Sequence, residues 1–176
     1  AYGLGWSHTS DNNPKSAAEA FAKVSKKDIN LWKDARIKRG YIMVKYKMDT
    51  DQMIRNYEDL LAEPSINEQQ KYECHLQIGI GKYEQSIYRQ AIEHLEIARK
   101  TCPDDKKQAV NFYISESYFR IKDYSKATSE YADTIALGPD TPIGQKSAYS
   151  LGWCYIYLKQ ADKALVLFVK QADNPK

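Results

Sequence analysis

The chain has 176 residues, of which 43% are hydrophobic and 12% aromatic, with a formal net charge of +3. Such a chain can bury enough apolar surface to offset the entropy of ordering, so disorder is excluded, and the small net charge selects no class of partner. No apolar run approaches the roughly 18 residues that a membrane-spanning helix needs. The three cysteines have neither CxxC spacing nor a metal-site pattern, and they leave the redox compartment open.

The chain opens with Ala1-Tyr2-Gly3-Leu4-Gly5-Trp6, expected to lie on a helix. The turn cluster Ser10-Asp11-Asn12-Asn13-Pro14 follows and should start a second helix holding Ala17 and Phe21. A second copy of this helix pair runs Gly40-Tyr41, Val44, Met53, Tyr57, Leu60 and Pro64. A third has Asn67 as its N-cap, then Ile78-Gly79, Ala91, Leu95, Ala98 and the helix-stopping Pro103. The fourth starts from Asp104 or Asp105. It continues with Ile114-Ser115 and Tyr118, turns at Lys122-Asp123-Tyr124-Ser125, and carries Ala127 and Tyr131 before Gly138-Pro139. The fifth is capped by Thr141 before Pro142. It reads Ala148-Tyr149-Ser150-Leu151-Gly152-Trp153, turns at Lys159-Gln160-Ala161-Asp162, and ends with Ala164 and Phe168.

The first and last copies match without a gap: Tyr2/Tyr149, Leu4/Leu151, Gly5/Gly152, Trp6/Trp153, Ala17/Ala164 and Phe21/Phe168 all stand 147 residues apart. The Leu-type position falls at 4, 40, 78, 114 and 151. Gly5, Gly79, Ser115 and Gly152 are expected where the two helices of a pair cross most closely, faced by Ala17, Ala91, Ala127 and Ala164. Phe21, Tyr131 and Phe168 are expected to fill the gap to the following copy.

Leu151-Gly152-x-x-Tyr155 with Ala164-x-x-x-Phe168, and Ala127-x-x-x-Tyr131 with Pro139, resemble the tetratricopeptide repeat. The resemblance covers essentially the whole chain. It implies an all-α, right-handed superhelical solenoid of about five antiparallel helical hairpins, with no sheet. The copies would be approximately 1–30, 31–66, 67–104, 105–140 and 141–176, in one array cut from a longer protein. The spacing exceeds the family's basic length, and the long loops are loosely similar to bacterial envelope proteins of the Tol-Pal coordination and outer-membrane-assembly lipoprotein type. That likeness favours periplasm or envelope over cytoplasm.

The resemblance also implies function. First helices of tetratricopeptide arrays line an inner groove, which carried over by register holds Tyr2, Trp6, Lys38, Arg39, Lys45, Tyr46, Tyr83, Phe112, Phe119, Arg120, Lys146, Tyr149, Trp153 and Tyr157. Leu76, Ile80 and Glu116 lie on the same face. An aromatic, partly basic lining suits a protein or peptide partner with acidic and aromatic or aliphatic side chains. Packing between neighbouring first helices is the competing reading for Trp6 and Trp153. The family's Lys/Asn clamp for chaperone tails is not expected, because Trp6 and Ile42 stand in place of its asparagines.

The expected function is a protein–protein interaction scaffold and not an enzyme, with no cofactor, metal or nucleic acid. The alternatives are an RNA-binding helical repeat, or the regulatory repeat domain of an enzyme whose catalytic part lies elsewhere. Ser7-His8 are helical neighbours pointing apart, a poor nucleophile–base pair, and Cys74-His75 with Cys102 supply too few metal ligands. Cys74 and Cys102 could meet as a disulfide if hairpin ends adjoin. From Lys23 to Lys47, nine Lys and Arg stand against Asp28 and Asp34; from Asp49 to Glu73, seven Asp and Glu stand against Arg55 and Lys71. Two mutually pairing faces, or a site for an anionic segment, would explain this asymmetry. Finally, Ala164-Leu165-Val166-Leu167-Phe168-Val169 is apolar all round, so end-to-end self-association through residues 164–172 is expected.

Overall fold

The computed structural model describes residues 1–172; the end of the fifth expected copy, 173–176, lies outside them. Among the described residues there are ten helices and no strand: α1 (Tyr2–Ser10), α2 (Pro14–Ala22), α3 (Ile29–Lys45), α4 (Thr50–Leu61), α5 (Glu68–Glu84), α6 (Tyr88–Lys100), α7 (Asp104–Arg120), α8 (Tyr124–Ala136), α9 (Pro142–Tyr157) and α10 (Ala161–Ala172). The fold class is all-α, as the repeat pattern predicts. The chain divides into two compact units, Ala1–Gly81 and Lys82–Lys176, with the division falling inside α5.

The turns between the helices of each pair share one construction. Asn12, Lys47, Ser86, Lys122 and Lys159 have φ of 53°, 48°, 63°, 64° and 60°. At each, two backbone bonds close the end of the preceding helix. In the fourth copy, Lys122 N–H donates to the Phe119 carbonyl at 3.0 Å and Asp123 N–H to the Tyr118 carbonyl at 3.0 Å. This is the Schellman arrangement, which satisfies otherwise orphaned carbonyls and asks for a left-handed residue where glycine is favoured. No glycine occupies any of the five places.

Helix starts are set by side chains. Asn13, Asp28, Asp49, Asp123 and Thr141 each accept a bond from the backbone N–H three residues on. Asn67 and Gln70 exchange bonds of 2.8 and 3.0 Å as a capping box. One start differs from expectation: Pro103 is the N-cap of α7, while Asp104 and Asp105 lie in its first turn. There they complement the helix dipole instead of capping.

In the first unit α1 packs on α2, α2 on α3 and α3 on α4, around Phe21, Trp32, Tyr57 and Leu60. In the second unit α6 to α10 pack in sequence, and α7 also meets α9, around Phe112, Tyr131, Leu151 and Cys154. The small residues behave as the repeat requires, with two corrections. A Cβ on Gly5 would lie 2.8 Å from the Phe21 ring and one on Gly152 2.5 Å from the Phe168 ring. The nearest atoms to the glycine slot are thus aromatic, four residues beyond the alanines expected there, and the ring covers its own hairpin's glycine. In the second copy the slot belongs to Gly40, against which Tyr57 packs, so the Leu-type position is Arg39 and the expected register was displaced by one residue. The helix after Gly40 carries one residue more before its aromatic partner than the helices after Gly5 and Gly152, and a gap-free alignment has no place for it.

Candidate functional site

In the first unit a cleft of about 160 Å³ is lined by Trp6 and Thr9 of α1, Phe21 of α2, Lys38, Tyr41, Ile42 and Lys45 of α3, and Tyr46. Its floor is apolar, since Phe21 and Ile42 are buried, whereas Tyr41 is 61% exposed at its rim. Lys38 Nζ stands 5.3 Å over the Trp6 ring and Lys45 Nζ 5.3 Å over the Tyr46 ring. These ammonium groups stay near water while their stems cover ring faces. The Tyr46 hydroxyl donates to Asn12 Oδ1 at 3.3 Å, fixing that ring at one end. The Tyr2 hydroxyl donates to Asp34, and that bond to a carboxylate holds the phenol above its ordinary range. The cleft thus combines an apolar floor with two cations at its lip.

The 147-residue correspondence is a repetition of geometry as well as of letters. Tyr2, Trp6 and Phe21 form a triad with ring separations of 6.4 Å (Tyr2–Trp6), 5.7 Å (Tyr2–Phe21) and 6.1 Å (Trp6–Phe21). Tyr149, Trp153 and Phe168 repeat it at 6.2, 5.7 and 5.9 Å. In the second unit Tyr149, Trp153 and Tyr157 are all exposed. Tyr157 stacks face to face on Tyr124 at 4.5 Å, and Phe119 meets both edge-on.

A buried carboxylate underlies the second unit's first helices. Glu116 of α7 is 6% exposed. It accepts from the Tyr131 hydroxyl at 2.6 Å, Ser150 Oγ at 3.1 Å and the Tyr83 hydroxyl at 3.3 Å, and Arg120 Nη2 lies 4.0 Å away. Burial, then the Glu116 charge, pushes the Tyr83 and Tyr131 phenols up. The carboxylate is closed over by its donors, so the expectation that Glu116 lines an open groove is not met.

Trp6, Lys38, Lys45 and Tyr46 come together in the first unit's cleft, with Tyr2 beside Trp6. Arg39 does not join them. It is half-buried, its Nη1 donates to Asn56 Oδ1 at 3.3 Å, and it lines a separate cleft with Pro14, Ala18, Met43, Met48 and Asp49. Burial, then the neighbouring Arg36, lowers its pKa. This is the one-residue register displacement seen at the side chain, and its converse is Tyr41, a rim residue that the displaced register hid. In the second unit Phe112 is buried beneath Lys146, whose Nζ sits 4.7 Å over its ring, so of that pair only the lysine is open to a partner. Tyr83 packs edge-on against Tyr88 and Tyr113, and Arg120 is exposed beside Glu116. Tyr124, the stacking partner of Tyr157, was also missed; it opens a second helix, and the carry-over from the family counted first helices only.

Cys74, Cys102 and Cys154 are buried and none of them is in a disulfide, so the expected Cys74–Cys102 bond is not formed. Among the described residues no group of three His, Cys, Asp or Glu is placed to hold a metal ion, and no helix is long and apolar enough to cross a membrane. Lys26 pairs with Glu63 at 3.6 Å and Arg36 with Asp59 at 3.9 Å, so the basic segment is partly matched by the acidic one within the first unit.

No family model matches the chain, and no curated protein matches it. Solved structures do. A crystal structure of MamA superposes with a TM-score of 0.79 at 18% identity, covering 97% of this chain and 93% of that one. MamA from Desulfovibrio magneticus superposes with a TM-score of 0.77 at 14% identity, covering 97% and 90%. At these identities the likeness is one of fold, and the chain has the tetratricopeptide-type helical-repeat fold.

Proposed function

We propose that this chain is a protein–protein interaction scaffold that takes a peptide or protein segment through the aromatic and basic surface of its first helices. The observation that carries the reading is the cleft in the first unit. Trp6, Tyr41 and Tyr46 are 43%, 61% and 43% exposed, on helices that could have buried them, and Lys38 and Lys45 stand beside them. Exposed aromatics with adjacent cations are the composition of binding hot spots, whereas scattered single hydrophobics would need no explanation. The fitting segment places an aromatic or aliphatic side chain on Phe21 and Ile42 and a carboxylate near Lys38 and Lys45. Tyr149, Trp153, Tyr157, Lys146, Phe119, Tyr83 and Arg120 form the corresponding surface in the second unit.

Selection of a random peptide library on the full chain tests the reading. Selected peptides should pair an acidic residue with an aromatic or aliphatic one. Tyr41→Ala and Lys38→Glu should each weaken them by about tenfold, the loss of about 1.4 kcal/mol. Peptides that bind equally well to both variants would overturn the placement, and selection of basic peptides would overturn the charge assignment.

A further inference from the structure

Arg39 stands where the three copies after it keep an aliphatic core residue. Its equivalents Ile78 and Ile114 are 0% exposed and Leu151 is 6% exposed. A guanidinium sunk into such a place is costly unless its charge is matched, and within the chain it is not. The acceptor of Arg39 Nη1 is a neutral amide, Asn56 Oδ1, and its Nε has no acceptor. Asn56 is fully buried and donates its own amide to the Arg36 carbonyl at 2.8 Å, which fixes its Oδ1 toward the guanidinium. Among the described residues no carboxylate pairs with Arg39; Asp59 pairs with Arg36 instead. A departure from a repeat's own pattern without a compensating contact is the signature of a functional position.

The cleft that Arg39 lines has a volume of about 440 Å³ and lies between the first two hairpins, with α2 on one side and the start of α4 on the other. Met43, 2% exposed, gives it an apolar floor, and the exposed Lys15 stands at its rim. We propose that this cleft binds a glutamate side chain of a partner protein, its carboxylate on Arg39 and Lys15 and its methylenes on Met43 and Met48. This deepens the scaffold reading, and rests on it in taking the carboxylate from a protein. The planar guanidinium fork matches a carboxylate, and methionines adapt to an aliphatic stem. Asp49 does not compete for Arg39, because its carboxylate accepts from Gln52 N–H at 2.9 Å and from Gln52 Nε2 at 3.4 Å. Glu19 and Asp49 on the walls repel a doubly charged phosphate more strongly than a singly charged carboxylate. Tyr46 lines this cleft and the neighbouring one that holds Trp6 and Lys38. One segment can therefore place an apolar residue in the first and the glutamate in the second.

The probe is the N-acetyl, N-methylamide derivative of glutamate, titrated into the isotope-labelled full chain and followed by NMR. The glutamine derivative and inorganic phosphate serve as its comparisons. The readout is the Arg39 Nε–H resonance, identified by its loss in Arg39→Lys. A saturable shift is expected with the glutamate derivative and none with the glutamine derivative, and phosphate should bind about tenfold more weakly. Lys15→Glu should weaken the glutamate derivative by about tenfold. Lys15 is exposed, so this variant leaves the packing intact, and circular dichroism checks that it does. Tyr41→Ala, at the rim of the neighbouring cleft, should leave the titration unchanged. No saturable shift overturns the inference, as does an equal shift with the glutamine derivative or a titration that Lys15→Glu does not alter. Tighter binding of phosphate overturns it in favour of a phosphate site. If library peptides bind the full chain while this derivative does not, the inference fails and the scaffold reading stands. If the derivative binds while the library yields no peptide, the scaffold reading fails and the carboxylate site stands.

Discussion

The buried hydroxyl of Tyr131 on α8 donates a 2.6 Å hydrogen bond to the Glu116 carboxylate on α7. Removing that donor leaves a desolvated charge with weaker partners. Tyr131→Phe should therefore cost about 1.5–3 kcal/mol, the range for hydrogen bonds to charged groups. Glu116→Gln should cost less, because its amide oxygen still accepts from Tyr131 and Ser150. Urea unfolding of both variants checks the ranking, and the reverse order would show that the carboxylate's charge itself carries the stability.

Two glycines of α1 should respond oppositely to the same substitution. A Cβ on Gly5 meets three ring atoms of Phe21 at 2.8 Å, and that ring, 1% exposed, has nowhere to go. Gly5→Ala should destabilise by about 1–3 kcal/mol through overpacking. Nothing lies within 4 Å of a Cβ on Gly3, so Gly3→Ala should stabilise by about 0.5–1 kcal/mol through helix propensity. Thermal melts of the pair are the measurement.

Lys122, at φ 64°, occupies a left-handed turn position that is closed by backbone bonds. A left-handed conformation costs an L-residue about 1–2 kcal/mol, part of which glycine returns as greater unfolded-state entropy. Lys122→Gly should gain about 0.5–1 kcal/mol in denaturant titration. A loss would mean that the lysine side chain stabilises the turn.

Burial pushes the Cys74 thiol from its ordinary value of 9.0 up to about 12, with the Glu73 charge adding to it. Burial likewise pushes Cys154 from 9.0 up to about 11. In the unfolded chain these thiols ionise from about pH 9, whereas in the fold they stay protonated. Their contribution is complete below pH 9 and is lost as pH rises through 11 and 12. The buried Tyr57 and Tyr131 phenols shift in the same direction, through burial first. Unfolding midpoints should fall steeply above pH 9, and less steeply for Cys74→Ser with Cys154→Ser. A flat profile would contradict the burial of these groups.

The fold was legible because the repeat writes its packing into a few positions. Gly5, Gly152 and their aromatic partners recur at a fixed offset, and each pair meets in the same way. The second copy was harder to read. Its extra residue moved Gly40 into the slot and Arg39 out of the cleft, and its core is unlike the others. Trp32 is buried there with Lys26 and Arg36 over its ring at 4.2 and 5.2 Å, so cations that suggested an open basic face in part shield an aromatic. The Glu116 site was illegible for a different reason. Its donors come from α5, α8 and α9, and no local pattern reveals that a charge on a first helix is closed over by three others.

That closure bears on how the second unit comes apart. Helical arrays are usually described by the stability of each repeat and its coupling to the next, which lets terminal hairpins fray independently. Glu116 changes this at the α9 side. Releasing α9 removes the Ser150 donor and admits water to a carboxylate that α7 and α8 otherwise keep dry. Opening the last hairpin therefore also loosens the one before it. Backbone amides of α7, α8 and α9 should exchange with deuterium as a single block, with one common opening free energy, while α10 exchanges ahead of them.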